Sequence, residues 1–206
     1  MSEKQILGPS VMNPDGDIQV DFGKAKAKSF IASSPPDLEA RETKLPETLR
    51  AENSSKRSKL VKIYRIADEI SALREGFVAC GKGCSHCCHM NIKLTSTEAE
   101  RLGAQIGRVP LKITSTVQAD EKAYNGTPCP FLAIDHSCSI YAHRPLACRT
   151  HASFEVDNKK CHPSVMDDHT VALVNFSGLE EALYDVSDGP GGVVLADIRN
   201  FFPSGH

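Results

Sequence analysis

Four cysteines, Cys80, Cys84, Cys87 and Cys88, fall within nine residues, in the stretch ACGKGCSHCCH at 79–89. Four more follow at Cys129, Cys138, Cys148 and Cys161. No other feature limits the fold as strongly. Thiols this dense are tied together by disulfides or gathered around metal, and the loops carrying them must fold accordingly. The start of the chain, MSEKQILGPS, lacks the apolar run of an export signal, so the expected compartment is the cytoplasm. Thiols stay reduced there, and a bridge between the neighbours Cys87 and Cys88 would be strained. The expectation is metal rather than disulfides.

Composition narrows the class. The chain has 206 residues, 40% hydrophobic and 24% charged, with a formal net charge of −2. That is enough chain for one modest core. It offers no basic block for nucleic acid and no stretch near the ~20 apolar residues of a membrane span.

Three parts are expected. Residues 1–55 carry the breaker signals GPS, NPDGD, SSPPD and KLPET with few apolar residues, and read as a flexible arm holding at most a short helix near Glu39–Arg41. Removing such an arm should not alter the metal content. Residues 56–165 form the cysteine-cluster domain. It opens on a helix of five to six turns whose stripe is Leu60, Ile63, Tyr64, Ile66, Ala67, Ile70, Leu73 and Phe77, with Lys62, Glu69 and Arg74 on the polar side. That helix should run straight into Cys80 and stop at a left-handed Gly81. Thr95 with Glu98, or Thr97 with Glu100, should cap a second helix. Residues 166–206 read as a helical extension packed on the domain, with helices near Leu179–Tyr184 and Val194–Phe201 separated by SDGPGG. The predicted fold is mainly α, a small single domain of short helices around irregular cysteine-rich metal-binding loops.

Thiolates bind soft and borderline metals. Eight suit two four-sulfur zinc sites, one cubane cluster with spare thiols, or a cluster beside a mononuclear site. The C-x3-C-x2-C spacing also occurs in radical S-adenosylmethionine enzymes. Their barrel of about 200 residues or more does not fit the chain after Cys88, and His86 stands where they usually have an aromatic ring.

With Cys80-Cys84-Cys87-Cys88, then CPFL at 129–132, then CSIYAHRPLACR at 138–149, the chain resembles the YkgJ-like cysteine-cluster proteins over roughly residues 60–165. The resemblance implies zinc or iron chelation through the cysteines. It assigns neither the metal nor an activity. A related flagellin lysine methylase carries a similar cluster, so group-transfer or redox chemistry stays open. So does a structural zinc module that presents the arm or tail to a protein partner.

All eight cysteines are therefore candidate ligands, and an iron–sulfur cluster, 4Fe-4S, is favoured over Zn2+ because the uneven loops do not make paired zinc knuckles. Gly81 and Gly83 are expected either to turn N–H groups toward sulfur or simply to end the helix. Arg144 and Arg149 are expected to offset thiolate charge or to form ordinary salt bridges. Pro145 should start a helical turn, and Phe131 and Tyr141 should cover the site. His86, His89 and His151 lead the histidines as alternative ligands, ahead of His136, His143, His162, His169 and His206. No serine–histidine–acid order, Walker loop or dinucleotide motif is present. The pairs Asp167–Asp168 and Glu180–Glu181 read as solvated charges.

Overall fold

The computed structural model describes residues 6–7, 22–81, 83–118, 120, 123–165 and 171–203. Lys82, Asp167, Asp168, His169 and His206 lie outside the described residues, as does the expected arm over 1–5 and 8–21. The fold is mainly α, as the sequence predicts, and a single small domain. Seven α-helices are described, α1 Phe22–Ser33, α2 Pro36–Ala51, α3 Lys56–Ala72, α4 Ser96–Ile106, α5 Leu146–Thr150, α6 Ser177–Ser187 and α7 Ile198–Phe201. Two antiparallel pairs accompany them, β1 Ile6–Leu7 with β3 Leu173–Val174, and β2 Lys93–Thr95 with β4 Leu195–Asp197.

Residues 22–51 correct the arm reading. They are helical, and Ala27, Phe30, Leu38, Leu45 and Leu49 are buried in the main core. Pro36 does not break the chain there. It sits in the first turn of α2, where its missing N–H costs nothing and its fixed φ suits the helix. Pro46 lies inside the same helix and is buried. The apolar stripe was hidden because Glu42 and Pro46 occupy two of its positions. The Glu42 carboxylate caps α6, accepting from the backbone N–H of Gly178 at 2.9 Å and of Leu179 at 3.3 Å.

The stripe of α3 is as expected. Ser55 caps its start by accepting from the Ser58 N–H, and Leu60, Ile63, Tyr64, Ile66, Ala67 and Ile70 are buried. Its end is not as expected. The helix stops at Ala72 and tight turns carry residues 73–77, with Gly76 left-handed at φ 82°. Gly81 is not left-handed; Gly83 is, at φ 86°. Because the helical register is lost after Ala72, Arg74 leaves the polar face and turns inward to 3% exposure.

Thr95 and Glu98 form the capping box of α4, and Gly107 ends it left-handed at φ 70°. Buried Glu98 also accepts from the Tyr64 hydroxyl at 2.8 Å and the Leu146 N–H at 2.8 Å, so one carboxylate joins α3, α4 and α5. Of the C-terminal expectations, α6 is found. The second helix is shorter, since 195–197 form β4 and only Ile198–Phe201 are helical. Two hydrophobic cores result. One gathers α1, α2, α3, α5 and α6; the other gathers β2, α4, β4 and α7 with the loop at Cys129. No helix among the described residues is long and apolar enough to cross a membrane.

Candidate metal centre

The cysteine loops meet where the two cores face each other. Val78 reaches the meeting point from the first core, and Ile92, Ile140 and Ile198 from the second. Between them lies a cavity of about 700 Å³. Cys80, Cys84, Cys87, Cys88, Cys129, Cys138 and Cys148 all line it. Cys161 does not, but it shares a hydrogen-bond donor with Cys80, as described below. All eight cysteines are free thiols.

Local folding positions these cysteines. A 3-10 turn at His86–His89 carries Cys87 and Cys88. Cys129 and Cys138 sit on a small loop closed by the Leu132–Cys138 bridge. Pro145 caps α5, as its expected role in starting a turn requires, and α5 presents Cys148. Cys161 ends a second 3-10 turn, Lys159–Cys161. The Cys129 N–H donates to the Cys88 carbonyl at 2.7 Å, and the Gly126 N–H to that of His89 at 2.8 Å, joining the first cluster to the second.

Polar hydrogens point at sulfur. The Ser153 N–H donates to Cys80 Sγ at 3.4 Å, and Asn158 Nδ2 to Cys84 Sγ at 3.6 Å. Ser153 also hydrogen-bonds Cys161 through its side chain. The backbone N–H of Phe131 serves Cys129, and that of Ile140 serves Cys138. Such donors favour thiolate over thiol and orient it. These donors, rather than glycine amides at 81 and 83, are what the structure provides.

Burial opposes them. It pushes the Cys129 thiol up to about 11 and Cys148 well above its ordinary value. Cys87 is raised by its hydrogen bond with Cys88 and then by burial. Burial therefore favours the thiol form of these three cysteines, and a metal bound by them would displace their protons. Arg144 lies near Cys87, Cys138 and Cys148 and favours their charged forms.

Arg74 is the group the sequence did not reveal. Its Nη1 donates to the Arg149 carbonyl at 3.1 Å, and its guanidinium stands 5.1 Å over the Phe176 ring. Its Nε and Nη2 are buried and have no hydrogen-bond partner among the described residues. Desolvation lowers its pKa to about 10, with Cys80 the neighbour that favours its charge. A buried cation without an anion is costly, and an anionic thiolate–metal centre in this cavity would supply one. The donor set and this unpaired cation both fit a thiolate-bound metal.

Other expected residues divide. Arg149 is structural: it pairs with Asp68, donates to the Arg144 carbonyl at 2.7 Å and to that of Ala142 at 2.9 Å, and stacks over Tyr64. Phe131 packs on Phe202 in the second core, whereas Tyr141 is 64% exposed at the cavity wall beneath Arg144. His136 and His151 line the cavity. His86 faces His162, with ring centroids 5.2 Å apart, and His89 Nδ1 meets the Ser85 carbonyl at 3.3 Å. Arg199 was missed altogether. It donates to the carbonyls of Cys88, Met90, Thr127 and Pro128 while held by Asp197, and so ties the first and second cysteine loops together. A lone arginine near the chain end gives no sequence signal for that. Among the described residues, no three His, Cys, Asp or Glu side chains stand close enough to clamp a single metal ion as they are.

Residues 79–164 match the family model CxxCxxCC, whose description is "Putative zinc- or iron-chelating domain". The match bears out the resemblance to a cysteine-cluster family read from the motifs. No curated protein and no solved structure matches the chain.

Proposed function

With residues 79–164 matching a zinc- or iron-chelating domain, we propose that the protein holds an iron–sulfur centre, of 4Fe-4S type, through its clustered cysteines. The observation that carries this reading is one cavity of about 700 Å³ walled by seven cysteines, no three of which close on a single point. Tetrahedral zinc draws its sulfurs to about 2.3 Å from one atom. A cluster has volume of its own and takes thiolates from walls set further apart. The uneven loop lengths favour it for the same reason. Arg74 and Arg144 supply positive charge beside the thiolates, and the N–H donors to Cys80, Cys129 and Cys138 would lower electron density on ligating sulfur.

The test is purification without oxygen, followed by assay of iron, zinc and acid-labile sulfide. The expected result is brown protein carrying about four iron and four sulfide for each cubane. Zinc without sulfide would overturn the cluster reading in favour of a closed structural site.

A further inference from the structure

We propose that the cysteines serve two separate thiolate centres, Cys80, Cys84 and Cys161 in one and Cys88, Cys129, Cys138 and Cys148 in the other, with Cys87 between them. This partition rests on the metal-binding reading above and deepens it.

The second set shares one core. Cys129 is a buried member of the cluster built by β2, α4, β4 and α7, and Cys88, Cys138 and Cys148 pack against that same cluster. None of the other four does. The Cys129 N–H bond to the Cys88 carbonyl and the clamp of Arg199 on Cys88 and Pro128 fix the relation of these loops independently of metal.

The first set shares a different scaffold. Ser153 serves both Cys80 and Cys161, and Asn158 serves Cys84 while its carbonyl accepts from the Cys161 N–H at 3.1 Å. The Ala79 N–H donates to the Ser153 carbonyl at 2.8 Å, so residues 79–84 and 153–161 form one unit.

Cys87 stands between the two sets. Its side chain hydrogen-bonds Cys88, and it lies near Cys80 and Cys161 as well as Cys138 and Cys148. Around it, Cys80 and Cys84 are the other thiols near Cys161, and Cys129 and Cys138 are the other thiols near Cys148. Arg74 lies beside Cys80, and Arg144 beside Cys87, Cys138 and Cys148.

The experiment compares the full chain, purified without oxygen, with Cys161→Ser, Cys129→Ser and Ser153→Ala, reading iron, zinc and sulfide per chain together with visible and EPR spectra. Each cysteine variant should lose one centre's complement of metal and keep the other's. Ser153→Ala should shift one spectral component and leave the second unchanged. Far-UV circular dichroism checks that each variant is folded, and Cys138→Ser reads the second centre should Cys129→Ser not fold. A single centre in the wild type, or one cysteine replacement that empties the protein, overturns the partition and leaves the metal-binding reading standing. Wild-type protein that binds no metal overturns both.

Discussion

Arg74 shows how one side chain can report what a cavity is for. Burial lowers this guanidinium from its ordinary value to about 10, which corresponds to about 3 kcal/mol carried by the empty protein at neutral pH. The proposed thiolate centre nearby would offset that cost. Arg74→Met should therefore stabilise the empty protein by about 1–2 kcal/mol, the lost bond to the Arg149 carbonyl consuming part of the gain. The same variant should lose metal faster to a chelator than wild type. Thermal melts of both forms and a chelator competition check this; a variant that weakens both forms equally would make Arg74 a packing residue only. The thiols give a second prediction. Folded Cys129 titrates near 11 against an ordinary 9, so its contribution to the empty protein is complete below pH 9 and is lost as pH rises toward 11. Metal-held thiolates have no proton to lose. Denaturant midpoints should fall for the empty protein as pH rises from 9 to 11, whereas for the loaded one, whose thiols take up protons on unfolding below pH 9, they should rise toward pH 9 and then level.

Elements differ in how plainly their sequences announce them. The α3 helix was legible because its stripe is wholly apolar and periodic, and α4 because Thr95 and Glu98 sit at capping-box spacing. The α2 helix was not. Its buried face includes a carboxylate and a proline, and both make sense only once α6 is docked. Pro46 has no N–H to give the Glu42 carbonyl, and Gly178 of α6 packs against that carbonyl. A Cβ on Gly178 would stand 2.1 Å from the Glu42 oxygen and 3.0 Å from its Oε1. Gly178→Ala must then push α6 off α2 and break the cap that Glu42 provides. A loss of about 2–4 kcal/mol is expected, comparable to a severe core substitution. A denaturation curve reads it directly, and a variant as stable as wild type would mean the helices pack differently.

At the scale of the whole molecule, the candidate cysteines were legible and the framework was not. Cysteines declare themselves by type and spacing, and the motif between Cys80 and Cys148 is compact enough to match a family model. The framework is assembled from distant segments by single contacts. Arg199 reaches the carbonyl of Cys88, Ser187 bonds the Thr95 hydroxyl at 2.9 Å, and Glu42 caps α6. No local pattern encodes such pairings. Their consequence is that the chain before the cysteines is part of the fold that holds them. Phe30 packs on Phe77 and Phe154, with ring centroids 5.7 and 5.3 Å away. Phe77 precedes Cys80 by three residues and Phe154 follows Ser153, the donor to Cys80. Removing residues 1–51 would expose this aromatic group along with the faces of α3 and α6 that Leu38, Leu45 and Leu49 cover. The burial of the four large side chains removed, Phe30, Leu38, Leu45 and Leu49, contributes on the order of 10 kcal/mol, as much as an ordinary domain's whole stability. The truncated chain should therefore be insoluble or molten and hold little metal. Removing residues 1–21 keeps α1 and α2 but takes the two-residue β1 from β3; it should preserve metal content and hold the thermal midpoint to within a few degrees. Metal assays and melts on the two truncations decide the matter: equal metal in both would return residues 22–51 to the status of a dispensable arm.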